Sequence, residues 1–318
     1  MSIFWTALII ILILGFFLVA LYFLVNFFIY HISLSRNNLT IRVINYFMKR
    51  HHDEYKIDFS WFEKKKSEVL SIKSKDGTSL KANFFEKKNS NKLAIVCHGY
   101  GSDFREMNNY SAYFYNRGFS ILLPELRGHG KSEGSVIGMG WPDRLDIKKW
   151  IETMVKRNPD YQIVLFGLSM GASTVCMTVG EKLPPNVKCA ISDCAYDNVY
   201  DEFHHVTKTL KLLNPEIIIK IYNNFLENTF RINLLKFDAI RQIKKAQIPM
   251  LFIHGGEDQF VPTINASKLY NAHPLENHKY IYICKGAGHS MSYVTDEKEY
   301  VKRLNEFLKK EFYNETTK

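Results

Sequence analysis

The sequence predicts an α/β domain of eight strands in a mostly parallel sheet with helices on both faces, fitted with a small helical cap and preceded by one apolar helix. Three observations lead there. Short apolar runs alternate with segments of helical character, the pattern of right-handed β-α-β crossovers. That alternation breaks between Tyr196 and Gln247, where helical stretches stand without a strand between them. From Met1 to His31, finally, there is no Asp, Glu, Lys or Arg.

The stretch from about Ile3 to Phe28 exceeds the roughly 20 apolar residues that cross a bilayer as a helix. It lacks the basic leader, short apolar run and small-residue cleavage site of a cleavable signal, so an uncleaved single span is expected over residues 1–31. Trp5 and Tyr30 suit the two interfaces. Lys and Arg near the span all follow it, at Arg36, Arg42, Lys49 and Arg50. This bias directs the rest of the chain to the cytoplasmic side of the cell membrane. Residues 32–66 are mixed, basic and aromatic, as a juxtamembrane connector would be. Its His51, His52, Asp53 and Glu54 read as a polar linker and not a metal site, because adjacent residues on a helix do not face one point.

The 318 residues, 46% apolar and 23% charged, describe globular protein and exclude wholesale disorder. The net charge of +10 suits both a solvated basic surface and a domain held against anionic lipid. Nucleic acid is not an expected partner, since there is no zinc-finger spacing, aromatic RNA-binding motif or long basic block. Five cysteines, Cys97, Cys176, Cys189, Cys194 and Cys284, lie mostly in apolar runs and read as free buried thiols.

Within residues 67–318, Glu68–Ser74 and Ser79–Glu86 flank Asp76-Gly77, a tight-turn dipeptide, and should pair antiparallel. Six further runs, Lys92–Cys97, Phe119–Pro124, Gln162–Phe166, Lys188–Ser192, Met250–His254 and Lys279–Ile283, are short and continuous, as strands buried on both faces should be. Helices are expected at Arg105–Asn116, Trp141–Val155, Gly171–Gly180, Thr263–Asn271 and Glu297–Glu311. The insertion at 196–247, with helical stretches at Phe203–Leu213 and Pro215–Leu226, should sit above the strand ends as a cap or lid.

Chemistry concentrates just after three of these strands. Gly167-Leu168-Ser169-Met170-Gly171 has the form G-x-S-x-G between a strand and a helix, a turn that pushes a serine hydroxyl above the sheet. A hydroxyl is a poor nucleophile unless a base takes its proton and a carboxylate orients that base. Gly255-Gly256-Glu257-Asp258 supplies the carboxylate in one strand-end loop, and Gly286-Ala287-Gly288-His289 the imidazole in the next. Asp258 is preferred to Glu257 for its spacing from Gly255. His289 is preferred to His254, at a strand end, and to His204 and His205 in the cap. Backbone N–H groups must then face the oxyanion. Met170, after the nucleophile, supplies one; Tyr100, in the glycine-rich loop His98-Gly99-Tyr100-Gly101-Ser102, is the candidate for the second. His98 reads as a structural hydrogen-bonding group.

These motifs together resemble the α/β-hydrolase family over roughly Glu68 to Phe312. Glu125-Leu126-Arg127-Gly128-His129-Gly130-Lys131-Ser132 is similar to its D-x-R-G-x-G-x-S segment, with glutamate in place of the first aspartate, and that segment is structural in the family. Pro249 and Asp258-Gln259-Phe260-Val261-Pro262 match its P-x-L-x-I-x-G-x-x-D-x-x-V-P stretch. An N-terminal span on such a domain resembles bacterial membrane-anchored hydrolases of the serine aminopeptidase-like or acyl-hydrolase-like branch. The expected activity is hydrolysis of carboxylic esters through an acyl-enzyme, with no metal or organic cofactor and a small or lipid-like ester as substrate. A peptidase with the same residues is the rival enzyme, and a membrane-anchored binding module the rival of another class. Because every candidate residue lies far beyond the span, removal of Met1 to about Ser35 is expected to leave a soluble, active domain.

Overall fold

The computed structural model describes residues 3–36, 38–41, 60–209, 211 and 214–314; His51, His52, Asp53 and Glu54 lie outside the described residues. Its strands are β1 (Glu68–Lys73), β2 (Ser79–Phe85), β3 (Lys92–Cys97), β4 (Ser120–Pro124), β5 (Gln162–Leu168), β6 (Val187–Asp193), β7 (Met250–Gly255) and β8 (Lys279–Cys284). They form one sheet in the order β1-β2-β4-β3-β5-β6-β7-β8. β2 pairs antiparallel with β1 and β4, and every other pairing is parallel. The β1–β2 turn falls at Asp76-Gly77, where Asp76 Oδ1 accepts from the Thr78 N–H.

The inner strands are unbroken apolar runs because helices cover both faces of the sheet. Along β5, Ile163 and Leu165 enter one core while Val164 and Phe166 enter the other, as a side-chain period of two requires. The first core lies beneath α3 (Asp143–Arg157), α4 (Met170–Thr178), α7 (Ala239–Ile243) and α8 (Ile264–Ala272), which contribute Trp150, Val175, Ile243 and Leu269. The second lies beneath α2 (Asn108–Asn116) and α9 (Glu297–Phe307), through Phe114 and Leu304. The C-terminal helix expected to run to Glu311 is α-helical only to Phe307 and continues as a π turn through Phe312.

Between β6 and β7 the cap is built from α5 (Val199–Thr209) and α6 (Pro215–Phe230), followed by α7. α6 starts where its sequence says it should. Asn214 accepts the Ile217 N–H, and Pro215 occupies the first turn, where a missing N–H costs nothing.

The N-terminal helix, α1, spans Ile3–Ser33 and is the one helix among the described residues long and apolar enough to cross a membrane. Its 31 residues reach roughly 46 Å, more than a hydrocarbon core of about 30 Å needs. Side chains are exposed around most of its length, but Asn26 and Tyr30 are buried. The last turns dock into the domain. Tyr30 stacks on Phe230 with ring centres 4.3 Å apart, and Ser33 Oγ lies 2.8 Å from the Tyr222 hydroxyl. The chain beyond is tied down as well: Ile137 N–H donates to Leu34 O at 2.7 Å, and the Arg36 guanidinium donates to Ser132 O and Gly130 O at 2.6 and 2.5 Å.

Candidate active site

Ser169 sits between β5 and α4 with φ 54° and ψ −118°. So sharp a turn leaves no room beside it. A Cβ on Gly167 would collide with the Gly171 carbonyl, and a Cβ on Gly171 with that of Cys97. The Ser169 N–H is held by Asp193 O at 2.9 Å, and its Oγ is 2.8 Å from His289 Nε2. His289 Nδ1 is in turn 2.7 Å from Asp258 Oδ2. The loops after β5, β7 and β8 thus bring the three expected residues into one hydrogen-bonded line.

Asp258 is secured from several sides. Its Oδ1 accepts the Phe260 and Val261 N–H groups at 3.0 and 2.9 Å. His254, fully buried, donates from Nε2 to Val261 O at 2.9 Å and stands 3.3 Å from Asp258 Oδ2. Burial alone would raise this carboxyl, but the hydrogen bonds from His254, His289 and Val261 outweigh it and hold the group well below the usual carboxylate range. Glu257, by contrast, is exposed. His205 Nε2 donates to Gln259 O at 2.9 Å, tying the cap to the Asp258 loop.

The loop carrying Tyr100 lies against Ser169: a Cβ on Gly99 would stand 3.5 Å from Ser169 Cβ. Two buried imidazoles shape it. His98 Nε2 accepts the Leu126 N–H at 3.0 Å while Nδ1 donates to Gly99 O at 2.8 Å. His129 Nε2 accepts the Gly101 N–H at 3.0 Å while Nδ1 donates to Arg127 O at 2.9 Å. Those roles require neutral rings. Burial, and then the neighbouring His98, push His129 down to about 3. His129 was not legible as a support of this loop, since nothing in its own segment points to Gly101. The segment around it is structural, with Arg127 paired to Asp146 and Ser132 Oγ donating to Glu125 O at 2.6 Å. Tyr100 turns its hydroxyl to Ser33 O at 2.5 Å and accepts from Asn38 Nδ2 at 2.7 Å. Met170 opens α4, where N–H groups lack intrahelical partners.

A cavity of about 420 Å³ opens at Ser169 and Met170. Tyr100 and Phe260 line it, the cap contributes Phe203, Val206 and Ile218, and the end of α1 contributes Ile29, Ile32 and Ser33. Among the described residues that line it, the one carboxyl is Glu202, whose Oε1 has no hydrogen-bond partner among them. Burial first, then the charges of Asp258 and Asp197, push Glu202 up to about 8, which favours its protonated form near neutral pH. Neither Glu202 nor the α1 residues carry a sequence signal for this role; only tertiary packing assembles them.

Residues 88–222 match a family model described as serine aminopeptidase, S33. The Bacillus subtilis protein YqkD is 25% identical over 263 residues, covering 82% of this chain and 85% of its own. A Xenopus tropicalis protein described as the lysophosphatidylserine lipase ABHD12 is 22% identical over 256 residues, covering 76% of this chain and 64% of the relative. Among solved structures, an esterase of Pyrococcus furiosus superposes with a TM-score of 0.63 at 21% identity, covering 78% of this chain and 92% of that one.

Proposed function

We propose that the chain, which has the α/β-hydrolase fold and matches a hydrolase family model over residues 88–222, is a membrane-anchored serine esterase. The observation that carries this reading is the line from Ser169 through His289 to Asp258 at the floor of an apolar cavity. Ser169 Oγ attacks the ester carbonyl as its proton passes to His289 Nε2. Asp258, accepting from Nδ1, keeps Nε2 free for that proton and steadies the imidazolium. The oxyanion faces the Met170 and Tyr100 N–H groups, each worth about 2.7–4 kcal/mol in such sites. Collapse expels the alcohol, which takes the proton from His289; water activated by the same imidazole then releases the acid. No metal or organic cofactor enters this sequence. α1 anchors the chain, with the domain on the cytoplasmic face, as the basic residues Arg36, Arg42, Lys49 and Arg50 after the span favour.

The name of the matching family model points to amide bonds instead. An aminopeptidase must hold a free α-ammonium, however, and the described lining of the cavity is mostly apolar with a single carboxyl, Glu202, which favours an ester. The full chain in detergent should therefore turn over 4-nitrophenyl esters and leave aminoacyl 4-nitroanilides almost untouched. Faster cleavage of the anilides would reverse the assignment.

Glu202 also predicts a pH limb. Its carboxyl ionises as the pH rises through about 8 and places a charge in an apolar pocket, so turnover of apolar esters should fall between roughly pH 7 and 9. In Glu202→Gln that limb should disappear. Superimposable profiles of kcat/KM for the two proteins would assign the alkaline fall to another group.

A further inference from the structure

A helix that served only as a tether would meet the domain through a linker and leave the pocket alone. α1 does neither. Ile29, Ile32 and Ser33 line the cavity at Ser169 together with Val206 and Ile218 of the cap. The wall is fixed in register by the Tyr30–Phe230 stack, by Ser33 against Tyr222, and by the Tyr100 hydroxyl on Ser33 O. One to two turns earlier, Tyr22 and Phe23 pack their rings near Phe225 of α6, at 6.3 and 6.2 Å. Phe23 and Ile29 are six residues apart, roughly 9 Å along the helix. The pocket wall is thus about 9 Å beyond residues that belong to the apolar span.

The surface between them is apolar on both sides. Phe23, Leu24 and Phe28 of α1 are exposed, and α6 exposes Ile217 and Ile221, one turn apart on the same face, beside pocket-lining Ile218. Water gains nothing from this surface, whereas an acyl chain leaving a bilayer can follow it without being hydrated. The cavity volume lies near the small end of the roughly 300–1,000 Å³ typical of ligand sites, room for one chain and not a pair. Among the lining residues Ser169, Tyr100 and Glu202 supply polar groups that can meet an ester and a small uncharged alcohol.

Resting on the esterase reading above, we infer that the last two turns of α1 are part of the substrate site, and that the substrate is an amphiphilic ester with one long acyl chain, drawn from the bilayer along α1 and α6. α1 is then a guide rail as well as an anchor. Ile32→Trp plugs the wall from the helix, and Ile218→Trp plugs it from the cap.

The test uses the full chain in phosphatidylcholine nanodiscs, with 1-monooleoylglycerol, dioleoylglycerol and 4-nitrophenyl acetate as probes. Wild type should prefer the monoacyl ester to the diacyl ester by at least about tenfold, and each plug should lower the monooleoylglycerol-to-acetate ratio by about tenfold, the scale on which pocket shape discriminates. Phe16→Trp, on the exposed part of α1, should leave the ratio unchanged. An unchanged ratio in both plugged variants, or equal use of the diacyl ester, overturns the inference while the esterase reading stands. Wild type that turns over no ester at all overturns the esterase reading itself, and this inference with it.

Discussion

Ser169→Ala should abolish labelling by a fluorophosphonate probe and reduce ester turnover by about 10⁶-fold, because groups that act as a unit are lost together when the nucleophile goes. The substitution removes one oxygen whose side-chain partner is His289 Nε2 at 2.8 Å. It leaves untouched the Ser169 N–H bond to Asp193 O and the hydrogen bonds that fix Asp258. Alanine is as strained as serine at this backbone geometry, so the melting temperature should stay within a few degrees of wild type. Intact folding with lost labelling identifies the nucleophile. Labelling that persists would mean that another serine carries the reaction.

Removing Met1–Ser35 should be nearly as damaging, contrary to the expectation that follows from sequence spacing alone. Tyr30 and Leu34, 6% and 1% exposed, would leave the core, at about 1.5–3 kcal/mol for each large apolar side chain. The Tyr30–Phe230 stack adds about 0.5–1.5 kcal/mol. Together these approach the lower end of a domain's whole stability of roughly 5–15 kcal/mol. The truncation also strips Ile29, Ile32 and Ser33 from the cavity and opens it on one side. The expected result is poor soluble yield, a melting temperature lowered by many degrees, and loss of activity on long-chain esters. A soluble truncation with full-chain stability and unaltered chain-length preference would show that the docked turns are incidental.

Why the first of these could be argued from sequence and the second could not follows from range. Each strand carries its own apolar run, the hairpin its Asp-Gly, and the three site residues their adjoining glycines, so local segments speak for themselves. All eight strands accordingly lie within a few residues of where the pattern places them, and the structure brings Ser169, Asp258 and His289 together. The wall of the cavity has no such signature. Tyr100 meets Ser33 across 67 residues and Ser33 meets Tyr222 across 189, and composition marks neither pairing. The same holds for His129, whose partner Gly101 is 28 residues away, and for Glu202, whose pKa is raised first of all by burial. An apolar helix also looks alike whether its end is packed or free, which is why α1 reads as a tether until its last turns are seen.

The backbone of Ser169 has a consequence of another kind. At φ 54° and ψ −118° it occupies a conformation that side-chain-bearing residues adopt at a cost on the order of 1–3 kcal/mol. Glycine would sit there almost without penalty. Under the proposed mechanism, stability and reactivity pull this position in opposite directions, and serine persists only while the reaction is worth its strain. In a lineage that no longer needed the chemistry, mutational drift would be rewarded for erasing this residue early, with glycine the most favourable replacement. Such descendants would keep the sheet, the cap and the docked helix, more stable than their ancestor and inert.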